Sequence, residues 1–217
     1  IESAAYITLT EDAQRLSGIL WEKKDNQYRI PGKQRCCMPK KLQVEGDYSN
    51  AAFLDAFNCI GSEVRVGNLN PDSLQGDRVY AAYFEEIAKS TPTLDISDCP
   101  DLGPVLFALA ALKNGAVFTG TDRLKAKESD RGAAMHEELA KLGGGLLFGD
   151  NTITVPKQEL RYTSLPLSGH NDHRIVMAAA VAALRCTGDV TVTGAEAVRK
   201  SYPSFFDEYT ALGGITH

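Results

Sequence analysis

Residues 174–184 read Arg-Ile-Val-Met-Ala-Ala-Ala-Val-Ala-Ala-Leu. After the first residue no position is polar, so a helix here has no face to offer water and must lie inside the protein. Residues 50–60 and 105–112 have nearly the same character. Each apolar helix is followed by a glycine (Gly61, Gly115, Gly188) and then by a short strand-like segment, at 64–67, 116–120 and 189–194. An amphipathic helix comes next in each case, at about 78–88, 130–142 and 203–212, the last with Pro203 at a favoured first position. Residues 152–155 read as a further alternating strand. The chain thus reads as three repeats, about 43–97, 98–156 and 168–215, with apolar helices packed centrally. In the last repeat Val190 and Val192 alternate with Asp189, Thr191 and Thr193, which predicts a sheet with one wet face. Helices inside and sheets outside is an α/β arrangement opposite to the doubly wound one. The competing reading is a generic α/β domain with coincidental spacing.

Ahead of the repeats, residues 5–16 read as a short helix ended by Gly18, and 27–30 as a strand. Residues 31–41 carry prolines at both ends and four basic residues without periodicity, and read as a connector. A hydrophobic content of 43% with 24% charged residues is that of a globular protein, and a net charge of −5 argues against a nucleic-acid or membrane surface as main partner. No apolar run reaches the ~18 residues of a membrane span. Ile1-Glu2-Ser3 shows no basic region or cleavage site of a signal peptide. Five cysteines at irregular spacing, without C-x-x-C, predict a reducing, cytoplasmic setting rather than disulfides or zinc.

The charges that matter stand at helix starts. Asp172 suits the positive end of the helix at 174–184 and can cap it, a contribution of ~1 kcal/mol. Arg174 is misplaced there unless an anion sits nearby, and an anionic ligand would resolve the conflict. Taken alone, that segment is better read as a surface arginine paired with a neighbouring carboxylate. Yet Arg123, Lys125, Lys127 and Arg131 also crowd a helix start, and Arg199 and Lys200 precede the helix at Pro203. Together they predict cations converging on one polyanionic ligand. Asp101 and Glu128 near them would make an acid/base pair. His173 is either a proton carrier or a buried hydrogen-bonding residue, the second being preferred. His136 and His170 offer no defensible ligand geometry, and neither a phosphate-binding loop nor a dinucleotide fingerprint is present.

Lys-Glu-Ser-Asp-Arg at 127–131 and Asn-Asp-His-Arg at 171–174 resemble two signature segments of the 5-enolpyruvylshikimate-3-phosphate synthase family, the shikimate-pathway enzymes of aromatic amino-acid biosynthesis inhibited by glyphosate. Val44-Glu-Gly-Asp-Tyr-Ser-Asn-Ala-Ala52, Pro100-Asp101 and Lys200-Ser-Tyr-Pro203 resemble further segments in the same order. The resemblance implies two inside-out domains of three repeats each, of which this chain would hold residues 43–217 as the C-terminal domain. Residues 31–42 would be the connector, and 1–30 the last helix and strand of an otherwise missing N-terminal domain. It implies transfer of the enolpyruvyl group from phosphoenolpyruvate to the 5-hydroxyl of shikimate 3-phosphate, with loss of phosphate and no metal or organic cofactor. Arg131, Arg174 and Lys200 would hold phosphoenolpyruvate. Ser3, Tyr6, Asp101, Arg123 and Lys127 would contact shikimate 3-phosphate, with Arg123 standing where some members have asparagine. Asp101 would help accept the hydroxyl proton, Glu128 would move protons at the methylene carbon, and Asp172 and His173 would support from behind. A monomer is expected.

Two other readings remain at this point. The same fold serves UDP-N-acetylglucosamine enolpyruvyltransferase, against which the Lys-Glu-Ser-Asp-Arg segment argues. With half of a cleft absent, the chain alone would be inactive, or a non-catalytic anion-binding domain.

Overall fold

The computed structural model describes residues 4–161 and 163–217, so Ser3 lies outside the described residues. The chain begins with α1 (Ala4–Leu16), none of whose residues is buried, followed by an exposed antiparallel pair, β1 (Glu22–Lys24) and β2 (Gln27–Arg29). No helix or strand is formed from Ile30 to Asp47. Asp47 then caps α2 (Tyr48–Cys59) by accepting the N–H groups of Ser49 and Asn50, at 2.8 and 3.2 Å. A 3-10 turn, Gly76–Val79, leads into the amphipathic α3 (Tyr80–Lys89).

After β3 (Thr93–Asp95), a 3-10 turn at Pro100–Leu102 opens α4 (Gly103–Leu112), in which every residue from Gly103 to Ala111 is buried. Next come β4 (Ala116–Thr119), α5 (Arg131–Lys141), β5 (Leu147–Gly149) and β6 (Thr152–Val155). These strands form a mixed sheet in the order β3-β4-β6-β5, with β3 and β4 parallel and the other pairs antiparallel. Ala116 and Phe118 of β4 and Ile153 and Val155 of β6 are buried, while the residues between them are partly exposed, so the sheet has one dry face. Phe118 meets Phe107 of α4 edge to face, with ring centroids 5.0 Å apart.

The last stretch holds β7 (Leu167–Ser168), α6 (His173–Ala183), β8 (Val192–Thr193) and α7 (Phe205–Ala211). Helices α2, α4 and α6 each touch the other two and are the centre of the core. Their many alanines, such as Ala52, Ala56, Ala108, Ala178 and Ala182, let the backbones approach closely. Among the described residues no helix is long and apolar enough to cross a membrane. The cysteines are free.

Two segments expected as strands fold otherwise. Residues 64–67 join no sheet, because Asn58 at the end of α2 captures Val64: its amide donates to the Val64 carbonyl at 2.8 Å, and its oxygen accepts the Val64 N–H at 2.6 Å. Of residues 189–194 only Val192 and Thr193 pair, parallel to β7. The alternation there is nevertheless visible in burial, with Val190 and Val192 half-buried between exposed neighbours. The strands β1, β3, β5 and β7 carry no alternating pattern long enough to reveal them in sequence.

Glycines turn the chain after both β4 and β8. Gly120 (φ +70°) and Gly194 (φ +72°) each open a six-residue 3-10 segment, Thr121–Ala126 and Ala195–Lys200. A Cβ at Gly120 would lie 2.7 Å from the Asp95 carboxylate, so both the left-handed backbone and the close approach require glycine.

Candidate active site

The starts of α4, α5 and α6 meet at one edge of the core, and each brings charge. Arg131, the first residue of α5, is 1% exposed and spends its guanidinium on three carboxylates. Its Nε donates to Asp172 Oδ2 at 2.9 Å, its Nη1 to Asp101 Oδ1 at 2.7 Å and its Nη2 to Glu128 Oε2 at 2.7 Å. Asp130 caps the same helix by accepting the Ala133 N–H at 3.1 Å. Asp172 is the N-cap of α6, accepting the Arg174 N–H at 2.9 Å, with its second oxygen held by Ser129 at 3.0 Å as well as by Arg131. The capping role expected of Asp172 is thus its observed one.

Asp101 departs from that pattern. It lies within the 3-10 turn ahead of α4 rather than at a cap, and its carboxylate gathers cations. Arg131 Nη1 and Lys127 Nζ approach Oδ1 at 2.7 and 3.0 Å, and Arg174 Nη2 donates to Oδ2 at 3.1 Å. Burial alone would raise the Asp101 pKa, but Arg174, Arg131 and Lys127 outweigh it and hold the group well below the usual carboxylate range. Asp172 is likewise held low against burial, chiefly by Arg131.

Arg174 is only partly satisfied. Its side chain is 8% exposed, and its buried Nε and Nη1 have no hydrogen-bond partner among the described residues. His173 is buried as expected, but neither ring nitrogen has a hydrogen-bond partner among the described residues; an Asp172 carboxylate oxygen is 3.8 Å away. Burial and the neighbouring Arg174 lower its pKa and so favour the neutral ring. The hydrogen-bonding role expected for it is therefore corrected.

Lys200 ends its 3-10 segment with Nζ on the carbonyl oxygen of Asn171, which ties the third cationic stretch to the loop before α6. That loop turns through two consecutive left-handed residues, His170 (φ +47°) and Asn171 (φ +53°). Glu138 of α5, 2% exposed, holds it there: Oε2 accepts the Ser168 N–H at 2.8 Å and Oε1 lies 2.6 Å from His170 Nε2. Glu137, Glu138 and His170 converge with the spacing of a metal-ligand set, but Lys141 donates to both Glu138 oxygens at 2.9 Å and supplies the cation itself.

Not all the expected cations join. Arg123 is exposed on the 3-10 segment, Lys125 pairs with Asp122 at 2.8 Å in solvent, and Arg199 is exposed. Tyr6, by contrast, reaches the cluster from α1, its hydroxyl donating to Asp101 Oδ2 at 2.9 Å and lying 3.5 Å from Asp77 Oδ2. Asp77 itself escaped the sequence reading. In Gln-Gly-Asp-Arg it looks like an ordinary acidic residue at a helix start, and only the fold buries it. A cavity of about 520 Å³ lies elsewhere, between α6, Val190, Val192, Phe206, Tyr209 and Ile215, and no clustered residue lines it.

The cluster thus offers a half-buried carboxylate under three cations, a more exposed carboxylate in Glu128, and an arginine with donors that have no partner among the described residues. Comparison with known proteins places the chain in a family. The chain is 37% identical to 3-phosphoshikimate 1-carboxyvinyltransferase of Clostridium acetobutylicum, over all of this chain and 54% of that protein. It is 34% identical to the protein of the same name from Clostridium novyi, over 99% of this chain and 53% of the relative. The chain therefore spans about half the length of the curated relatives it matches. In fold it is similar to EPSP synthase from Acinetobacter baumannii, with a TM-score of 0.73 at 23% identity over 94% of this chain and 54% of that one. It is also similar in fold to the enolpyruvyl transferase NikO of Streptomyces tendae, with a TM-score of 0.66 at 13% identity over 99% of this chain and 54% of that one. The sequence pattern described as EPSP synthase (3-phosphoshikimate 1-carboxyvinyltransferase) matches residues 1–209, and the chain belongs to that family.

Proposed function

We propose that this chain carries one wall of an enolpyruvyl-transfer site, acting on phosphoenolpyruvate and shikimate 3-phosphate. The observation that carries the reading is Arg174, a buried guanidinium with two unused donor nitrogens beside Asp101. A buried cation with idle donors is costly unless an anion completes it, and phosphate or carboxylate oxygens match its planar fork. Arg174 and Lys200 would take the phosphate and carboxylate of phosphoenolpyruvate. Arg131 would join them by loosening its hold on Glu128, the most exposed of its three partners.

Asp101, pressed between cations, would accept the proton of the attacking 5-hydroxyl as anionic ligands draw those cations away. Glu128 would deliver a proton to the methylene carbon and withdraw one on elimination of phosphate. Charge building on the transferred group would be stabilised by cations already in place. Lys127, Tyr6 and, more weakly, Ser3 and Arg123 would meet shikimate 3-phosphate. In the same reading, residues 43–217 form a domain of three inside-out repeats with α2, α4 and α6 as their inner helices. Residues 1–30 and the connector at 31–42 would join it to a second domain closing the cleft.

The test is anion binding. Inorganic phosphate should perturb the amide signals of Arg131, Arg174 and Lys200, with an affinity that falls as salt rises. Arg174→Ala should weaken it at least about tenfold, the loss of one charge-assisted contact. Perturbation mapping to another face would sink the reading.

A further inference from the structure

Asp77 is used by none of the steps above, although it stands within reach of them. It is 6% exposed, and its Oδ1 is buried with no hydrogen-bond partner among the described residues. Its other oxygen lies 3.5 Å from the Tyr6 hydroxyl, which in turn sits 2.9 Å from Asp101 Oδ2. One hydroxyl thus spans a buried carboxyl group, Asp77, and a half-buried one, Asp101. Having a single proton, it can donate to only one of them at a time, and it can accept from the other when that one is protonated.

We propose that Asp77, Tyr6 and Asp101 share one proton at this site, and that Asp77 is where it is stored. The proposal rests on the reading of Asp101 as the proton acceptor. When Asp101 takes a proton from a ligand hydroxyl, that O–H bond breaks and its electron pair stays on the attacking oxygen. Asp101 then passes its proton to the Tyr6 oxygen as Tyr6 gives its own to Asp77 Oδ2. The net change is that the ligand hydroxyl has lost its proton and the Asp77 carboxylate has become a carboxylic acid, with Asp101 and Tyr6 back in their starting states.

The direction follows from the neighbours. A proton left on Asp101 would weaken its pairs with Arg131, Arg174 and Lys127 all at once. Moved to Asp77, it removes a buried charge that has no ion-pair partner among the described residues. The groups acting on Asp77 come from several elements: Asp101 from its turn, Asp47 from the cap of α2, Tyr6 from α1, and the Cys99 thiol, with Arg174 and Lys127 opposing them. Burial first, and then the Asp101 charge, push the Asp77 carboxyl up to about 7. Both protonation states are therefore accessible near neutrality, as a store requires.

Carbon-detected NMR of the aspartate carboxyl groups across pH tests this on the chain as it stands. Asp77 should titrate near 7 while Asp101 stays ionised, and the Asp101 signal should show an inflection at the Asp77 midpoint as the Tyr6 hydroxyl changes partner. Tyr6→Phe should erase that inflection, and since Tyr6 lies on an exposed helix the core does not depend on it. Asp101→Asn should lower the Asp77 midpoint by about one pH unit or more, because a like charge is removed. Titration of Asp77 below about 5, the ordinary carboxylate range, would overturn the proposal, as would an inflection that is missing in the parent or survives in Tyr6→Phe. Loss of phosphate binding would instead strike the anion-site reading, so the two failures are separable.

Discussion

Arg131 shows how a charge that is wrong for its helix becomes right for the molecule. As the first residue of α5 it faces the positive end of the dipole, a cost of a few tenths to ~1 kcal/mol. Three carboxylates within 2.9 Å reverse that, and two of them, Asp172 and Asp101, raise its already high pKa despite burial. The consequence for pH follows from Asp172 and Asp101, whose folded pKa values lie below their unfolded ones. Such groups contribute stability that is fully present above the unfolded carboxylate pKa, ~3.9, and is lost as pH falls through the folded value. Asp172→Asn should therefore destabilise the protein at pH 7, by roughly 3–5 kcal/mol, the usual cost of breaking one side of a buried ion cluster. The loss should shrink as acid removes the same charge from the parent. Urea unfolding at pH 7 and at pH 3 measures both, and equal losses at the two would contradict the linkage.

At the scale of elements, the site depends on a loop that helix α5 holds in place. Glu138 bridges Lys141 on its own helix to Ser168 and His170 across the gap, and so sets where Asn171 presents the carbonyl that Lys200 grips. Glu138→Gln keeps the shape but cannot serve all these donors. We expect weaker phosphate binding, by roughly 3–10-fold, from a cluster whose own residues are unchanged. Chemical-shift titration decides it, and unaltered affinity would show that the loop holds itself. The core helices provide a second expectation. Amides of α4 and α6, buried almost throughout, and of α2, buried along most of its length, should exchange most slowly, and those of α1, β1 and β2, which bury nothing, most rapidly. Uniform exchange across 4–217 would contradict that hierarchy.

For the whole molecule, the proposed chemistry asks for more than this chain presents. The cluster lies on an edge of the core, with Glu128 39% exposed, and the chain spans about half the length of its relatives. Holding two reactants in contact accounts for up to ~7–11 kcal/mol of barrier reduction, and a half-cleft open to water cannot supply it. We therefore expect no measurable product from phosphoenolpyruvate and shikimate 3-phosphate with this chain alone, and turnover when the remaining half of a relative is added in trans. In the reassembled enzyme Glu128→Gln should lower kcat by roughly 10²–10⁴-fold with a much smaller change in phosphoenolpyruvate affinity. Turnover by the chain alone would overturn the half-cleft reading, and near-normal kcat in Glu128→Gln would remove that residue from proton transfer. What the sequence determined here was set by local pattern. The all-apolar run after Arg174 had to be buried, Asp172 had to cap it, and the alternation at 152–155 had to pair with one face dry. The cations at helix starts told that an anion was needed without telling which anions would answer. That was decided by tertiary structure, which put Asp101, Glu128 and Asp172 around one guanidinium, left Arg174 with idle donors, and turned residues 64–67 away from a sheet. It also buried Asp77. Burial and charge pairing join residues dozens of positions apart, and no periodicity within a window of sequence carries that information.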